Sequence, residues 1–423
     1  MIETVAYTLA VLCGAGAAYR ILVAGTRDRL DAWRRTAVEC GLGDFRESRF
    51  PTILTGSVRG LTVRLENPVP PKSRARIQIA VERPDCHGVR LAMRREGFDT
   101  AIDKMMGDHE MVIGDISLDS NFFIVGSDIA FAAAFFDAGT RDSLVDLRDD
   151  LHRVAVEEGE LRVQITAGTD APERFARVLA RVIEIGAHMP GRVELVARLA
   201  QNAANDAEPA IRENNLAFLA GEFRGHAASR EALRAATRDH NVAVRLRAGV
   251  GLREEGHAVL LEITQSDAPE ACVAEAVSAL GARLPADLRV ALFGRAVTAG
   301  QSRVVAACIP LLGRAGDDAA EARLIGALSM TDRDVQIAAA HALGRTGSAL
   351  AVEPLKAIAR GRGDEELSRA AGEAIAMIQD RTEGTPGQLS LSDASAGQVS
   401  LADGGAGQLS LPTSKADGRD GAD

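Results

Sequence analysis

The sequence predicts a multidomain protein with an N-terminal transmembrane helix, an α+β domain, an all-α solenoid and a disordered C-terminal tail. Three patterns carry this prediction: an apolar stretch near the N-terminus, a stretch in which apolar and polar residues alternate, and an internal repeat of about 31 residues. The predicted parts are a membrane helix at 1–25, a continuing juxtamembrane helix at 26–42, the α+β domain at 43–189, the solenoid at 190–381 and the tail at 382–423.

Composition limits both the core and the partners. Aromatic residues make up only 4% of the chain, so the cores must be built from Leu, Val, Ile and Ala. The net charge is −10, and residues 190–380 carry 22 basic and 25 acidic side chains. A protein that binds nucleic acid needs a basic face. We therefore expect no nucleic-acid partner. The preference for arginine over lysine indicates a GC-rich bacterial genome.

Residues 5–25 have the length and character of a membrane span. The stretch has about 20 residues, and its single charge, Arg20, lies where the guanidinium can reach the lipid headgroups. Four arginines follow: Arg27, Arg29, Arg34 and Arg35. The positive-inside rule then places the chain after residue 26 in the cytoplasm. We expect contact with the lipid bilayer through residues 5–25 in a single-pass protein of the bacterial inner membrane with cytoplasmic C-terminal domains. The alternative is a soluble cytoplasmic protein.

Period-two alternation predicts the strands of the α+β domain. These are Thr52–Ser57, Leu61–Glu66, Arg76–Val81, Val89–Met93, Phe122–Val125, Val154–Val156 and Leu161–Ile165. Gly60 and the pair Glu158-Gly159 predict hairpin turns. Helical spacing predicts a first helix that ends before Gly41, because glycine favours the position just after a helix. Further helices are predicted at Ile129–Phe136, at Arg141–Leu151 and from Pro172 to about His188.

The order of several short motifs resembles a module found behind an N-terminal membrane helix in uncharacterised bacterial proteins. The resemblance covers about residues 30–166 and implies no activity. Its residues are Trp33, Ala37, Cys40-Gly41-Leu42, Leu54-Thr55-Gly56, Arg59-Gly60, Gly114-Asp115, Asp119, Phe122, Val125, Thr140-Arg141 and Leu144.

A triplet of residues spaced four apart recurs six times in the second half of the chain. Each triplet contains an apolar residue, usually a small residue four positions later, and an apolar residue four positions beyond that. Such spacing places all three on one stripe of a helix. The six triplets are Ile211/Asn215/Leu219, Val244/Ala248/Leu252, Cys272/Ala276/Leu280, Val304/Cys308/Leu312, Val335/Ala339/Leu343 and Leu367/Ala371/Ile375. A period of about 31 residues fits one pair of helices per unit.

These units resemble HEAT repeats of the short bacterial kind, also called the phycobilisome-lyase HEAT-like type. The clearest copy is Leu343-Gly344-Arg345-Thr346-Gly347 followed by Ala351-Val352-Glu353-Pro354-Leu355. The resemblance covers about residues 192–380 and implies an α-solenoid of about six repeats with one elongated core. An arginine follows the first branched residue only at Arg212 and Arg245, so we expect no continuous ladder of Asp–Arg pairs.

The tail contains a five-residue motif, Gly-Gln-(Leu/Val)-Ser-Leu, at a period of ten. A segment rich in Gly, Ser, Ala and Asp buries too little apolar surface to fold alone. Evenly spaced apolar pairs in such a segment indicate short docking motifs, although a purely solvating tail is the simpler alternative. The predicted partner-binding residues are Gln388, Leu389, Leu391, Gln398, Val399, Leu401, Gln408, Leu409 and Leu411.

A solenoid of stacked helix pairs presents a long surface to extended protein segments. We therefore expect a non-enzymatic interaction scaffold or adaptor whose protein partners are unknown, with no catalytic residue, metal site or cofactor. The sequence contains no P-loop, GxSxG, HExxH or dinucleotide fingerprint. The alternatives are a HEAT-like solenoid enzyme of the lyase or DNA-glycosylase type and a soluble structural protein. The oligomeric state is not predicted.

Overall fold

The computed structural model describes residues 25–49, 51–67, 77–86, 88–95, 110–166, 168, 171–312, 318–361 and 364–383. Within these ranges, an antiparallel sheet domain precedes a helical, solenoid-like region. The predicted membrane span at 5–25, except for Gly25, and the predicted tail beyond Glu383 lie outside the described residues. No helix in the described ranges has both the length and the apolar character that a bilayer crossing requires.

The sheet contains eight strands in the order β1-β2-β3-β4-β8-β7-β5-β6, and every neighbouring pair is antiparallel. The strands are β1 (Gly43–Ser48), β2 (Ile53–Val58), β3 (Leu61–Glu66), β4 (Ile77–Glu82), β5 (Leu91–Arg95), β6 (Phe122–Gly126), β7 (Leu151–Glu157) and β8 (Glu160–Ile165). Each predicted strand corresponds to one of these, whereas the edge strand β1 was not predicted.

Two of the hairpins use the turn that their sequences predict. Arg59 and Gly60 both have positive φ, at 50° and 79°, between β2 and β3. Glu158 and Gly159, at 54° and 78°, connect β7 to β8 in the same way. Positive φ at both central residues is the mark of a type I′ turn, whose twist matches that of the flanking strands. The hairpin predictions at these positions are confirmed.

Two helices cover the apolar face of the sheet. Helix α1 occupies residues 25–39 and buries Leu30, Trp33 and Ala37 in the core that it shares with the strands. Helix α1 ends at residue 39, three residues before the end predicted for the juxtamembrane helix at 26–42. Gly41 has φ of +82°, and Leu42 N–H donates to Ala37 O (2.9 Å), which ends the helix as predicted.

The long helix that precedes the solenoid-like region also packs on this core. Later helices are numbered in chain order, and this one is α5 (Pro172–His188). It contributes the fully buried residues Phe175, Val178, Leu179 and Val182.

Three short helices lie between β5 and β7: α2 (Ile116–Asp119), α3 (Ile129–Phe135) and α4 (Ala138–Asp146). Each begins after an aspartate whose carboxylate accepts a backbone N–H three residues later; these caps are Asp115, Asp128 and Asp137. The predicted helix Arg141–Leu151 was wrong at both ends. Asp137 starts the helix earlier, and Leu151 belongs to β7, where it pairs with Ile165.

The described residues after α5 form six pairs of helices. These are α6 (Leu195–Asn205) with α7 (Pro209–Ala220), α8 (Ala227–Ala236) with α9 (Val242–Leu252), α10 (His257–Gln265) with α11 (Glu270–Leu280), α12 (Ala286–Ala299) with α13 (Ser302–Leu312), α14 (Asp318–Ala327) with α15 (Arg333–Thr346), and α16 (Val352–Ala359) with α17 (Glu365–Glu383).

The central residue of every predicted triplet is buried between neighbouring helices. Asn215 is 1% exposed, and its five counterparts are 0% exposed: Ala248, Ala276, Cys308, Ala339 and Ala371. A small side chain at this position lets the second helix of one pair approach the second helix of the next. Apart from Ile211, which belongs to the core of the sheet domain, the buried apolar residues of the array fall into two clusters that meet at α9, where Val244 belongs to one cluster and Leu246 to the other. The array therefore has two cores rather than the single elongated core that was predicted.

Close packing of α5 on the sheet yields a test of the first domain. A Cβ atom at Gly186 would lie 2.7 Å from Val81 Cγ1, so Gly186→Ala forces α5 away from β4. We expect a loss of about 1–3 kcal/mol in the free energy of unfolding, because overpacking outweighs the gain in helix propensity.

Gly294→Ala is the matched control, since no atom lies within 4 Å of its added Cβ in α12. That change should stabilise by about 0.5–1 kcal/mol. Urea denaturation followed by circular dichroism measures both, and equal stabilities for Gly186→Ala and the parent would contradict the packing.

Candidate functional site at the domain junction

The sheet domain and the helical array share apolar packing where α3 contacts α6 and α7. Ala134 of α3 lies in one cluster with Leu199 of α6 and Leu216 of α7. Conversely, Ile211 of α7, a helix of the array, is buried in the core of the sheet domain. Burial on both sides of the boundary therefore joins the two parts.

A buried arginine lies at the centre of this junction. Arg141 of α4 donates from Nη1 and Nη2 to the two carboxylate oxygens of Asp206, at 2.8 and 3.0 Å. Its Nε donates to Asp115 Oδ2 (2.7 Å), and Nη1 also donates to Phe136 O (2.8 Å). The side chains of Arg141 and Asp206 are only 5% and 1% exposed. This two-point contact is the strongest kind of ion pair that proteins form, and here it connects α4 to the loop between α6 and α7.

The electrostatics of this cluster keep its charges in place at neutral pH. Burial opposes ionisation of Asp115, but hydrogen bonds from the Leu118 N–H and from Arg141 outweigh it and hold the pKa of Asp115 below its ordinary value. Burial likewise opposes the charge on Arg141, but hydrogen bonds to Asp206 and Asp115 raise its pKa. Arg141 and Asp115 therefore keep their opposite charges at neutral pH and act as a structural connection.

Three further side chains cross the same boundary. Arg198 Nη1 donates to Asp137 Oδ2 (3.0 Å). Asn202 Nδ2 donates to Ala133 O (3.1 Å), and Asn214 Nδ2 donates to Ile113 O (3.1 Å). Because α6 and α7 both supply donors to the sheet domain, the first helix pair of the array is held at several points.

Arg212, the first of the two arginines that follow the opening residue of a triplet, continues this network into the array. Arg212 forms a two-point pair with Asp239, at 2.8 and 2.9 Å, and also donates to Asp206 O (2.8 Å). Burial raises the pKa of Asp239, but the hydrogen bond from Arg212 outweighs this and lowers it overall. Arg245 donates to Asp239 O (2.7 Å) rather than to a carboxylate. The two arginines therefore make different contacts, Arg212 with a carboxylate and Arg245 with a backbone carbonyl.

A cavity of about 400 Å³ opens beside this junction. Its walls are residues 110–113, the start of α3 and one face of α7. Most of the wall is apolar, and at its edge Val112 and Ile129 are 72% and 58% exposed. Among the described residues that line it, Glu110 is the one with an acidic side chain. The arrangement suits binding of an apolar group by shape and desolvation.

The partner-binding residues predicted from the sequence belong to the repeated motif of the tail. All nine, from Gln388 to Leu411, lie outside the described residues. The junction itself was not predicted, although Asp115 and Arg141 belong to the motif order quoted for the first domain. Their meeting with Asp206 has no local sequence signal, because Arg141 and Asp206 are 65 residues apart.

Comparisons with known proteins identify the repeats. A family model described as HEAT repeats matches residues 290–376, from within α12 to within α17. No curated protein matches the chain. Among solved structures, the crystal structure of the mycobacterial trehalose monomycolate transport factor A, TtfA, is 13% identical and covers 38% of this chain and 97% of that chain, with a TM-score of 0.26. The HEAT resemblance is thus confirmed over part of the array, without a phycobilisome-lyase subtype.

The buried arginine provides a test of the junction. Replacing it with an apolar residue, Arg141→Met, leaves Asp206 buried without its partner, which costs about 3–5 kcal/mol in a buried pair. We expect this loss, and we expect the unfolding transitions of the sheet domain and the array to coincide in the parent and to separate in the variant. Fluorescence of Trp33, which is fully buried in the sheet domain, reports one transition, and helical circular dichroism reports mainly the array.

An exposed pair serves as the control for this substitution. Arg234 and Glu255 lie 2.8 Å apart with side chains 58% and 46% exposed, so Arg234→Met should cost less than about 1 kcal/mol. Asp206→Asn and the double variant complete a cycle that measures the coupling between the two buried groups. A loss for Arg141→Met no larger than that for Arg234→Met would contradict the proposed role of the junction.

Proposed function

We propose that this protein is a non-enzymatic scaffold or adaptor that holds protein partners on its helical array. The HEAT-repeat match within a solenoid-like region is the observation that carries the proposal. Each helix pair buries one face against its neighbours and leaves the other to solvent. Arrays of this kind bind extended protein segments through many small contacts along their length.

The junction supports a scaffold of fixed geometry. The hydrogen bonds of Arg141, Arg198 and Asn214 join the sheet domain to the first helix pair. A protein bound to the array is therefore held at a set orientation to the sheet domain. Fixed orientation is useful in a protein that brings two others together, because less conformational freedom is lost when the second one binds.

We further propose that the chain is tethered to the cytoplasmic face of a bacterial inner membrane through residues 5–25. The support is the apolar stretch and the arginines that follow it. The repeated tail motif, with Leu389, Val399 and Leu409 at corresponding positions, is proposed as a second partner contact. Neither proposal includes a nucleic acid or a cofactor.

Truncation distinguishes the array from the tail. We compare crosslinked pull-downs from membranes using the intact chain and a chain that ends at Glu383, which keeps α17 whole. Retention of most partners by the shortened chain is expected, because the array supplies the larger surface. A full-length variant with serine at the six apolar motif positions is the matched control: Leu389, Leu391, Val399, Leu401, Leu409 and Leu411. Loss of every partner in both variants would move the function to the tail.

Removal of the N-terminal stretch tests the tether separately. A chain that starts at Arg27 should leave the membrane fraction, because the apolar segment that would enter the bilayer is gone. The measurement is the distribution of the protein between membrane and soluble fractions. Native fluorescence of Trp33 shows whether the shortened chain keeps its sheet domain. Membrane association that persists unchanged in a folded, shortened chain would overturn the tether.

A further inference from the structure

We propose that the junction cavity is a binding site for a small, mainly apolar molecule that carries a hydrogen-bond donor. This site is additional to the protein-binding surface of the array and does not depend on it. The cavity of about 400 Å³ lies within the range of sites that hold small molecules, roughly 300–1,000 Å³. Its mostly apolar wall provides the desolvation that drives such binding.

Asn215, the central residue of the first triplet, provides the polar contact. Asn215 is part of the cavity wall and is 1% exposed. Its Nδ2 donates to Ile211 O (2.8 Å), which leaves Oδ1 as the amide atom available to another partner. That oxygen is buried and accepts no hydrogen bond from any described residue. A buried acceptor without a donor is unfavourable, and an N–H or O–H group of a ligand would satisfy it once the Asn215 side chain turns this oxygen towards the cavity.

Comparison among the repeats shows that packing alone does not call for this asparagine. The equivalent position is alanine in four units, at Ala248, Ala276, Ala339 and Ala371, and cysteine in another, at Cys308. A small apolar residue therefore suffices where the second helices of neighbouring pairs meet. The amide occurs in the unit that borders the cavity, which is the place where a ligand could use it.

The walls are held in place independently of any ligand. Asn214, beside Asn215 in sequence, donates to Ile113 O on the opposite wall, and Arg141 holds α4 to the loop that precedes α7. A preformed cavity loses little conformational freedom on binding. Amines, amides and alcohols with a large apolar part therefore fit the cavity.

N-phenyl-1-naphthylamine is the probe for this site, because it is uncharged, apolar and carries a single N–H, and its fluorescence increases in apolar surroundings. Titration of the full chain should give saturable binding of one probe per chain. Ala217→Phe, which fills the cavity from an exposed position on α7, should abolish binding. Ala228→Phe, an equally exposed alanine on α8 outside the cavity, is the matched control and should leave binding unchanged.

A second pair of measurements tests the hydrogen bond to Asn215. Asn215→Leu keeps the size of the side chain and removes the acceptor, so binding of N-phenyl-1-naphthylamine should weaken about fivefold to tenfold. Binding of 1-phenylnaphthalene, a hydrocarbon of similar shape without the N–H, measured by displacement, should not weaken. Circular dichroism confirms that each variant is folded.

The possible results separate a binding site from general surface adsorption. Absence of saturable binding, or an equal loss in the Ala217→Phe and Ala228→Phe variants, would overturn the site. Equal weakening of both aromatic compounds by Asn215→Leu would overturn the role of the donor. If Ala217→Phe does not fold, the shift in melting temperature of the parent with rising probe concentration decides whether the folded chain binds it.

Discussion

The contact between Arg141 and Asp206 is the interaction on which the relation between the two parts of this protein depends. Both side chains are almost completely buried, and the guanidinium uses Nε, Nη1 and Nη2 to reach Asp115, Asp206 and Phe136 O. Removing two charges from water is costly, and the cost is recovered only when the geometry satisfies most donors and acceptors. The pair is therefore specific to one docked arrangement, whereas apolar packing of α3 on α6 and α7 would tolerate sliding.

Asp206 connects this pair to the array by a second route. Its backbone carbonyl accepts from Arg212, which in turn pairs with Asp239 in the loop between the two helices of the next unit. The charged contacts thus run from the sheet domain through the first repeat into the second. Beyond α9 the described array depends mainly on apolar contacts, in which alanine or cysteine at the centre of each triplet allows close helix packing. The cavity lies beside the ionic junction, between residues 110–113, α3 and α7.

Local sequence patterns predicted most of the secondary structure. Alternation in Leu61–Glu66 and the Glu158-Gly159 turn were sufficient, because side-chain direction and backbone φ are set within a few residues. The edge strand β1 was missed, since only one face of Gly43–Ser48 is partly buried and its polar residues obscure the alternation. The helix predicted at Arg141–Leu151 ran too far because Leu151 pairs with Ile165, a contact between strands that helical spacing cannot reveal.

The sequence by itself determined the repeat architecture and the fold class of the first domain, because periodicity records which face of each element is buried. Tertiary structure alone decided how the two parts dock and where the cavity lies. Arg141 and Asp206 are far apart in the chain, and neither belongs to a pattern that predicts the other. Asn215 looked like one more member of the triplet series until its neighbours showed that it borders a cavity. Such contacts depend on the relative placement of whole elements, which local periodicity does not encode.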